Sequence, residues 1–175
     1  SKVKRLLRQA TLRLEAHASR LEYRAERGLR KDKVATLLSG QYLHRAHNII
    51  VTGATGCGKT YFACALARQA CEQHHTVRYY RLGQLLDELN IGHADGSYRQ
   101  QLAQLAKKKL LILDDWGMEK LSARQANDLL DVMEERYQNT STIIASQLPV
   151  AEWYKLISNP TVADALPAFF KVVVA

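Results

Sequence analysis

Little in this 175-residue chain could act as covalent or rigid scaffolding: it has three cysteines, three prolines, two methionines and nine glycines. So few cysteines argue against a disulfide-stapled secreted domain. Cys57, Cys64 and Cys71 recur every seven residues. On a helix they stack on one face about 10 Å apart, too far to pair or to share a metal. They read as small core residues in a reducing compartment. Long apolar runs are missing too. None approaches the ~20 residues that cross a bilayer, and Lys2, Lys4 and Arg5 are not followed by an apolar stretch of signal-peptide length. The expectation is a cytoplasmic protein with no membrane contact. The six histidines have no companions at metal-ligand spacing, so no zinc site is expected.

Acidic charge is scarce in one region only. Residues 1–48 hold 12 Lys+Arg against 4 Asp+Glu, whereas the remainder holds 13 of each. A basic segment beside a neutral body is the footprint of a phosphate-backbone binder, since neutralising phosphates releases condensed counterions. A solvated helix face is the competing explanation. Val3, Leu6 or Leu7, Ala10, Leu14, Ala18, Leu21 and Ala25 recur at helical spacing and predict an amphipathic helix to about Arg27, stopped by Gly28. Arg20, Arg24 and Arg27 on that helix are the candidate DNA contacts. A charged junction at residues 30–33 sets a boundary between a basic N-terminal helical segment, residues 1–33, and a core at residues 34–175. That core opens with a helix-like stretch at residues 34–42.

From Asn48 the pattern alternates strand and helix, which yields a parallel sheet covered on both faces. Strands are expected at residues 48–52, 76–80, 110–113 and 142–145, with a fifth at 171–174. Directly after the first comes Gly53-Ala54-Thr55-Gly56-Cys57-Gly58-Lys59-Thr60, a complete GxxxxGK[ST] loop leading into a helical stretch at residues 61–73. In such a P-loop the glycines let backbone N–H groups face a phosphate. The helix N-terminus adds positive potential, Lys59 reaches the β and γ phosphates, and Thr60 supplies a magnesium ligand.

About fifty residues on, Leu110-Leu111-Ile112-Leu113 ends in Asp114 and Asp115, a Walker B pattern. Neighbouring parallel strands present their carboxyl ends at one edge, so Asp114 is expected beside Thr60, holding Mg2+ through water. Asp115 is the candidate for orienting or deprotonating the attacking water. At the end of the next strand, Ser146 or Gln147 could sense the γ phosphate or position the water, or could simply form a strand-end turn. Trp116 and Trp153 read either as packing residues or as ligand-stacking residues, with packing preferred.

The motifs GATGCGKT, LLILDDWG, ERYQNTSTIIASQLPVAEW ending at Trp153, and NPTVADA at residues 159–165 together resemble the IstB family, ATPase helpers of bacterial insertion-sequence transposases. DGSY at residues 95–98 and ACALARQAC at residues 63–71 fit as well, and the likeness spans roughly residues 35–165. The resemblance implies an α/β AAA+ core related to the helicase loader DnaC. It implies ATP and Mg2+ as cofactors, an ATP-dependent homo-oligomer on double-stranded DNA, and a cognate transposase as partner. Carried over by position, the family's nucleotide loop falls on Gly53 to Thr60, its carboxylates on Asp114 and Asp115, and its sensor on Ser146 and Gln147. After Asp164-Ala165-Leu166 the family continues with a DRL-type motif, whose arginine can act across a subunit boundary. Here Pro167-Ala168-Phe169-Phe170 follows instead. Arg136 is the substitute candidate for that finger, and segments near residues 31–34 and after 166 are expected to be altered or missing.

The expected activity is ATP hydrolysis coupled to DNA assembly and target selection in transposition, with a DnaC-like replicative helicase loader as the alternative. A small-molecule P-loop kinase would need an acceptor pocket and a lid that the sequence does not display. A binding-only switch would bind ATP and assemble without turnover.

Overall fold

The computed structural model describes residues 1–21, 31–53 and 57–174. Five strands, β1 (Asn48–Thr52), β2 (Val77–Arg81), β3 (Leu110–Trp116), β4 (Ser141–Ser146) and β5 (Phe170–Val174), form one sheet in the order β2-β3-β4-β1-β5. Every pairing is parallel. The central strands are continuous apolar runs because a parallel sheet is covered on both faces. All five expected strands are present, and β3 runs three residues further than its apolar stretch suggested.

One face carries α4 (Cys57–Glu72) together with α1 (Lys2–Ala10), α2 (Lys31–Leu38) and α3 (Gln41–His44). Ile49, Val51, Val77, Leu110, Ile112 and Ile143 point into it. Along α4, Ala63, Cys64, Ala67, Ala70 and Cys71 are almost fully buried. Their small side chains let the helix axis lie close to the strands. The other face is covered by α5 (Leu82–Asp95), α6 (Tyr98–Ala106), α7 (Ala123–Arg136) and α8 (Pro160–Ala165). Here Ile50, Leu111, Leu113 and Ile144 meet Leu85, Leu89, Leu102, Leu129 and Met133. Trp116 and Trp153 pack against each other in this core, ring centroids 4.7 Å apart and planes tilted by 42°, each 1% exposed or less, which settles them as packing residues.

Two helical expectations are corrected. The N-terminal helix ends at Ala10: Thr11 turns left-handed at φ 54°, and among the described residues up to Leu21 only Ala18–Arg20 resumes a helical turn, of 3-10 type, while residues 22–28 of the expected helix lie outside the described residues. Apolar spacing continued past Thr11 because Leu12, Leu14 and Ala16 still pack on the body, as an extended segment rather than a helix. The stretch at residues 34–42 splits at Gly40, whose φ of +81° an L side chain rarely adopts.

Buried polar groups tie the sheet together. The Asn48 amide donates to the Phe169 carbonyl at 2.9 Å while its Oδ1 accepts from the Thr142 N–H at 2.7 Å, linking β1 to β4 on one side and to the residue that leads into β5 on the other.

Candidate nucleotide site

The C-terminal ends of β1, β3 and β4 share one edge, and the P-loop leaves β1 there. Gly53, Cys57, Gly58, Lys59 and Thr60 lie among the described residues, with the last four in the first turn of α4; Ala54, Thr55 and Gly56 lie outside them. Lys59 Nζ donates to the Gly53 carbonyl at 2.8 Å. Partial burial pulls the Lys59 pKa down, while the charges of Asp114 and Asp115 oppose that shift.

Thr60 is buried and its Oγ1 donates to Asp114 Oδ2 at 2.8 Å. The hydroxyl of Tyr79, on β2, donates to the same oxygen. The Asp115 N–H donates to Asp114 Oδ1 at 2.8 Å, so both carboxylate oxygens of this 2% exposed side chain are held. Burial first, and the hydrogen bond to Asp114 second, push the Tyr79 pKa far up. Tyr79 is thus a neutral donor across the physiological range.

Asp115 has a left-handed backbone, φ 58°, at a register shift between β3 and β4. Between Leu113↔Ile144 and Trp116↔Ser146, three steps on β3 match two on β4. This bulge sends Trp116 to the same face as Leu113, where it meets Trp153. It also leaves the Asp115 carboxylate facing β2, where its Oδ2 accepts from Arg81 Nε at 2.8 Å and from Arg13 Nη1 at 3.3 Å. Gly117 follows at φ +95°, a conformation an L side chain rarely adopts, and a Cβ there would crowd Leu148 Cβ at 3.1 Å.

Ser146 and Gln147 part company. Ser146 Oγ accepts from the Leu148 N–H at 3.0 Å and donates to its carbonyl at 2.7 Å, so its hydroxyl closes a strand-end turn. Gln147 stands at the same edge as the two aspartates, anchored by its N–H on the Trp116 carbonyl at 3.1 Å, and its amide donates to Met118 Sδ. Arg136 is not a finger. It is 1% exposed and donates to the carbonyls of Leu105, Lys108 and Ser141 at 2.5, 2.7 and 2.6 Å and to Thr142 Oγ1 at 3.0 Å, pinning α7 to the sheet. Burial lowers its pKa to about 9. The segment in the place of the DRL-type motif forms the 3-10 turn Pro167–Phe169 and then β5. Of the candidate DNA contacts, Arg20 is exposed in its 3-10 turn, and Arg24 and Arg27 lie outside the described residues.

Sequence reading missed Tyr79, Arg81 and Arg13. Alternation along β2 puts Tyr79 on the Asp114 face, but which strand neighbours β3 is a matter of topology. Arg13 was counted with the surrounding basic charge.

The donor set fits the nucleotide chemistry that the motif suggests. A hydroxyl and a carboxylate in contact make the hard-oxygen surroundings that magnesium takes. The loop amine stands at the entrance of the same edge.

The family profile described as IstB-like ATP binding protein matches residues 1–168. The chain is 42% identical over 160 residues to an insertion sequence ATP-binding protein of Sinorhizobium fredii, covering 91% of this chain and 65% of that one. It is 46% identical over 149 residues to the insertion sequence IS1162 ATP-binding protein of Pseudomonas fluorescens, covering 85% and 64%. It therefore spans just under two thirds of the length of these relatives. Among solved structures, the DnaC helicase loader is similar at TM-score 0.71 and 20% identity, covering 98% of this chain and 99% of that one. AMPPCP-bound DnaA from Aquifex aeolicus is similar at TM-score 0.78 and 17% identity, covering 94% and 51%. These two likenesses establish the AAA+ fold.

Proposed function

The chain belongs to the family of IstB-like ATP-binding proteins, and from that premise we propose that it is a Mg2+-dependent ATPase that assembles as an ATP-gated homo-oligomer on duplex DNA and assists a transposase in selecting its target. The contact of Thr60 with Asp114 carries the reading, because it brings the end of the phosphate loop and the end of β3 to one point. The backbone from Gly53 to Thr60 cradles the phosphates, and Lys59 leaves the Gly53 carbonyl to reach their β and γ oxygens. Thr60 and Asp114 hold the magnesium ion, Asp114 through water, and Tyr79 keeps that carboxylate oriented. When bound, the ion neutralises charge on the β and γ oxygens. Asp115 orients the attacking water and Gln147 reads the γ phosphate. Exposed Lys2, Lys4, Arg5, Arg8 and Arg20, with Arg24 and Arg27, supply the phosphate-backbone contacts of DNA.

A helicase loader would share this chemistry and differ in its partner. The insertion-sequence names of the relatives at 42% and 46% identity favour the transposase. Sedimentation velocity with a long duplex tests the assembly, comparing ATP, ADP and no nucleotide, with Lys59→Ala as control. A large complex seen only with ATP and intact Lys59 is expected. Sedimentation indifferent to nucleotide would refute ATP-gated assembly.

A further inference from the structure

Residues 11–17 cross the nucleotide edge of the sheet as a strap with anchors on both sides of Arg13. Before it, Thr11 Oγ1 donates to the Tyr79 carbonyl at 3.2 Å. After it, the His17 N–H donates to the Tyr61 hydroxyl at 3.2 Å, one residue past Thr60, and Ala16 is 1% exposed. Between these points Arg13 meets Asp115, one of the two Walker B carboxylates, and Tyr79, which holds the other. It donates to Asp115 Oδ2. Its charged form is favoured first by the Tyr79 hydroxyl, which in turn holds Asp114, and next by Asp115.

The direction of the Asp115 side chain matters. In the order β2-β3-β4-β1-β5, the strand that launches the P-loop lies on one side of β3 and Arg81 of β2 lies on the other. Asp115 is turned toward β2, and its Oδ2 is occupied by two guanidinium groups. A carboxylate so engaged is turned toward β2 and away from the strand that launches the phosphate loop. We propose that Arg13 is a positioning residue that, from the N-terminal strap, restrains Asp115 on the β2 side of the site and yields it when a polyanion engages the basic segment.

The strap is suited to release. Residues 1–21 carry six Lys or Arg against one acid, Glu15. The Arg13 side chain is itself 45% exposed, so a nucleic-acid phosphate competes with Asp115 for one guanidinium. Occupancy of the N-terminal segment is thereby read at the residue that handles water. Arg81 stays behind on β2, which keeps Asp115 in place at the edge without the second clamp.

The inference rests on the ATPase reading, and its test separates the two. In the full chain, ATP binding is measured with a fluorescent analogue and turnover with and without duplex DNA for wild type, Arg13→Ala, Arg13→Lys, Arg99→Ala and Lys59→Ala. The expected result is that Arg13→Ala raises DNA-free kcat about two- to fivefold, the range that one partly exposed ion pair can hold back. KM stays unchanged, further stimulation by DNA shrinks, and Arg13→Lys falls between. Arg99→Ala, an exposed arginine of α6 on the other face of the sheet, keeps the basal rate. An Arg13→Ala kcat at or below wild type, with nucleotide binding intact, overturns the restraint and leaves the ATPase reading standing. Absence of Lys59-dependent nucleotide binding in the wild type overturns both.

Discussion

Thr60 and Asp114, 54 residues apart in the chain, meet through a 2.8 Å hydrogen bond at the carboxyl edge of the sheet. The first residue lies in the first turn of α4 and the second near the carboxyl end of β3, so the contact exists only because parallel strands end on the same side. Tyr79 and the Asp115 N–H complete the cage around that carboxylate.

Asp114→Asn keeps the shape and removes the charge. We expect the Mg2+-dependent part of ATP affinity to fall about 10- to 100-fold, as for groups that orient a metal's water shell. Titration of a fluorescent ATP analogue with and without Mg2+ measures it. Equal affinity with and without the ion in both proteins would remove Asp114 from the metal site.

Arg136 binds three backbone carbonyls and a threonine hydroxyl. Arg136→Met leaves these buried acceptors without a donor and should cost about 3 kcal/mol or more. Urea unfolding would report the loss as an earlier midpoint. A variant of normal stability that fails only in turnover would restore Arg136 as a candidate finger.

Burial raises the Cys71 pKa from 9.0 to about 11 and moves that of Cys64 upward as well. Both thiols should resist a disulfide reagent at pH 8 until denaturant is added. The raised native value also fixes a sign. Stability from the protonated thiol is complete below about pH 9 and is lost as pH climbs toward 11, because only the unfolded chain readily ionises there. Melting curves across that range should shift downward, and Cys71→Ala should flatten the shift.

Neutralising Arg20, Arg24 and Arg27 together should reduce the slope of log affinity for duplex DNA against log salt by about 2 to 3, close to 0.9 per phosphate contact. Binding titrations at several salt concentrations provide the slope. If the triple variant keeps the wild-type slope, the contacts belong to other basic residues of the segment.

Much of this protein is legible in one dimension. The apolar runs marked five strands, and the loop, its lysine and the paired aspartates stood out by spacing, since each is a local pattern that the chemistry demands in sequence order. The N-terminal stretch misled because apolar spacing cannot tell a helix from an extended strap lying on the same surface. Thr11 breaks the helix without a glycine or proline to announce it. Arg136 misled differently: an arginine near a helix end reads as exposed until the carbonyls around it are known.

The amino-acid sequence alone determined the nucleotide loop, the fold class and the address of the basic charge, because these depend on residue order within single elements. Tertiary structure alone decided who surrounds the two aspartates. Placing β2 beside β3 brought Tyr79 to Asp114, a one-residue bulge turned Asp115 toward Arg81, and the strap delivered Arg13 from about a hundred residues away. Such contacts arise from strand order and local backbone twist, which no periodicity in the chain encodes.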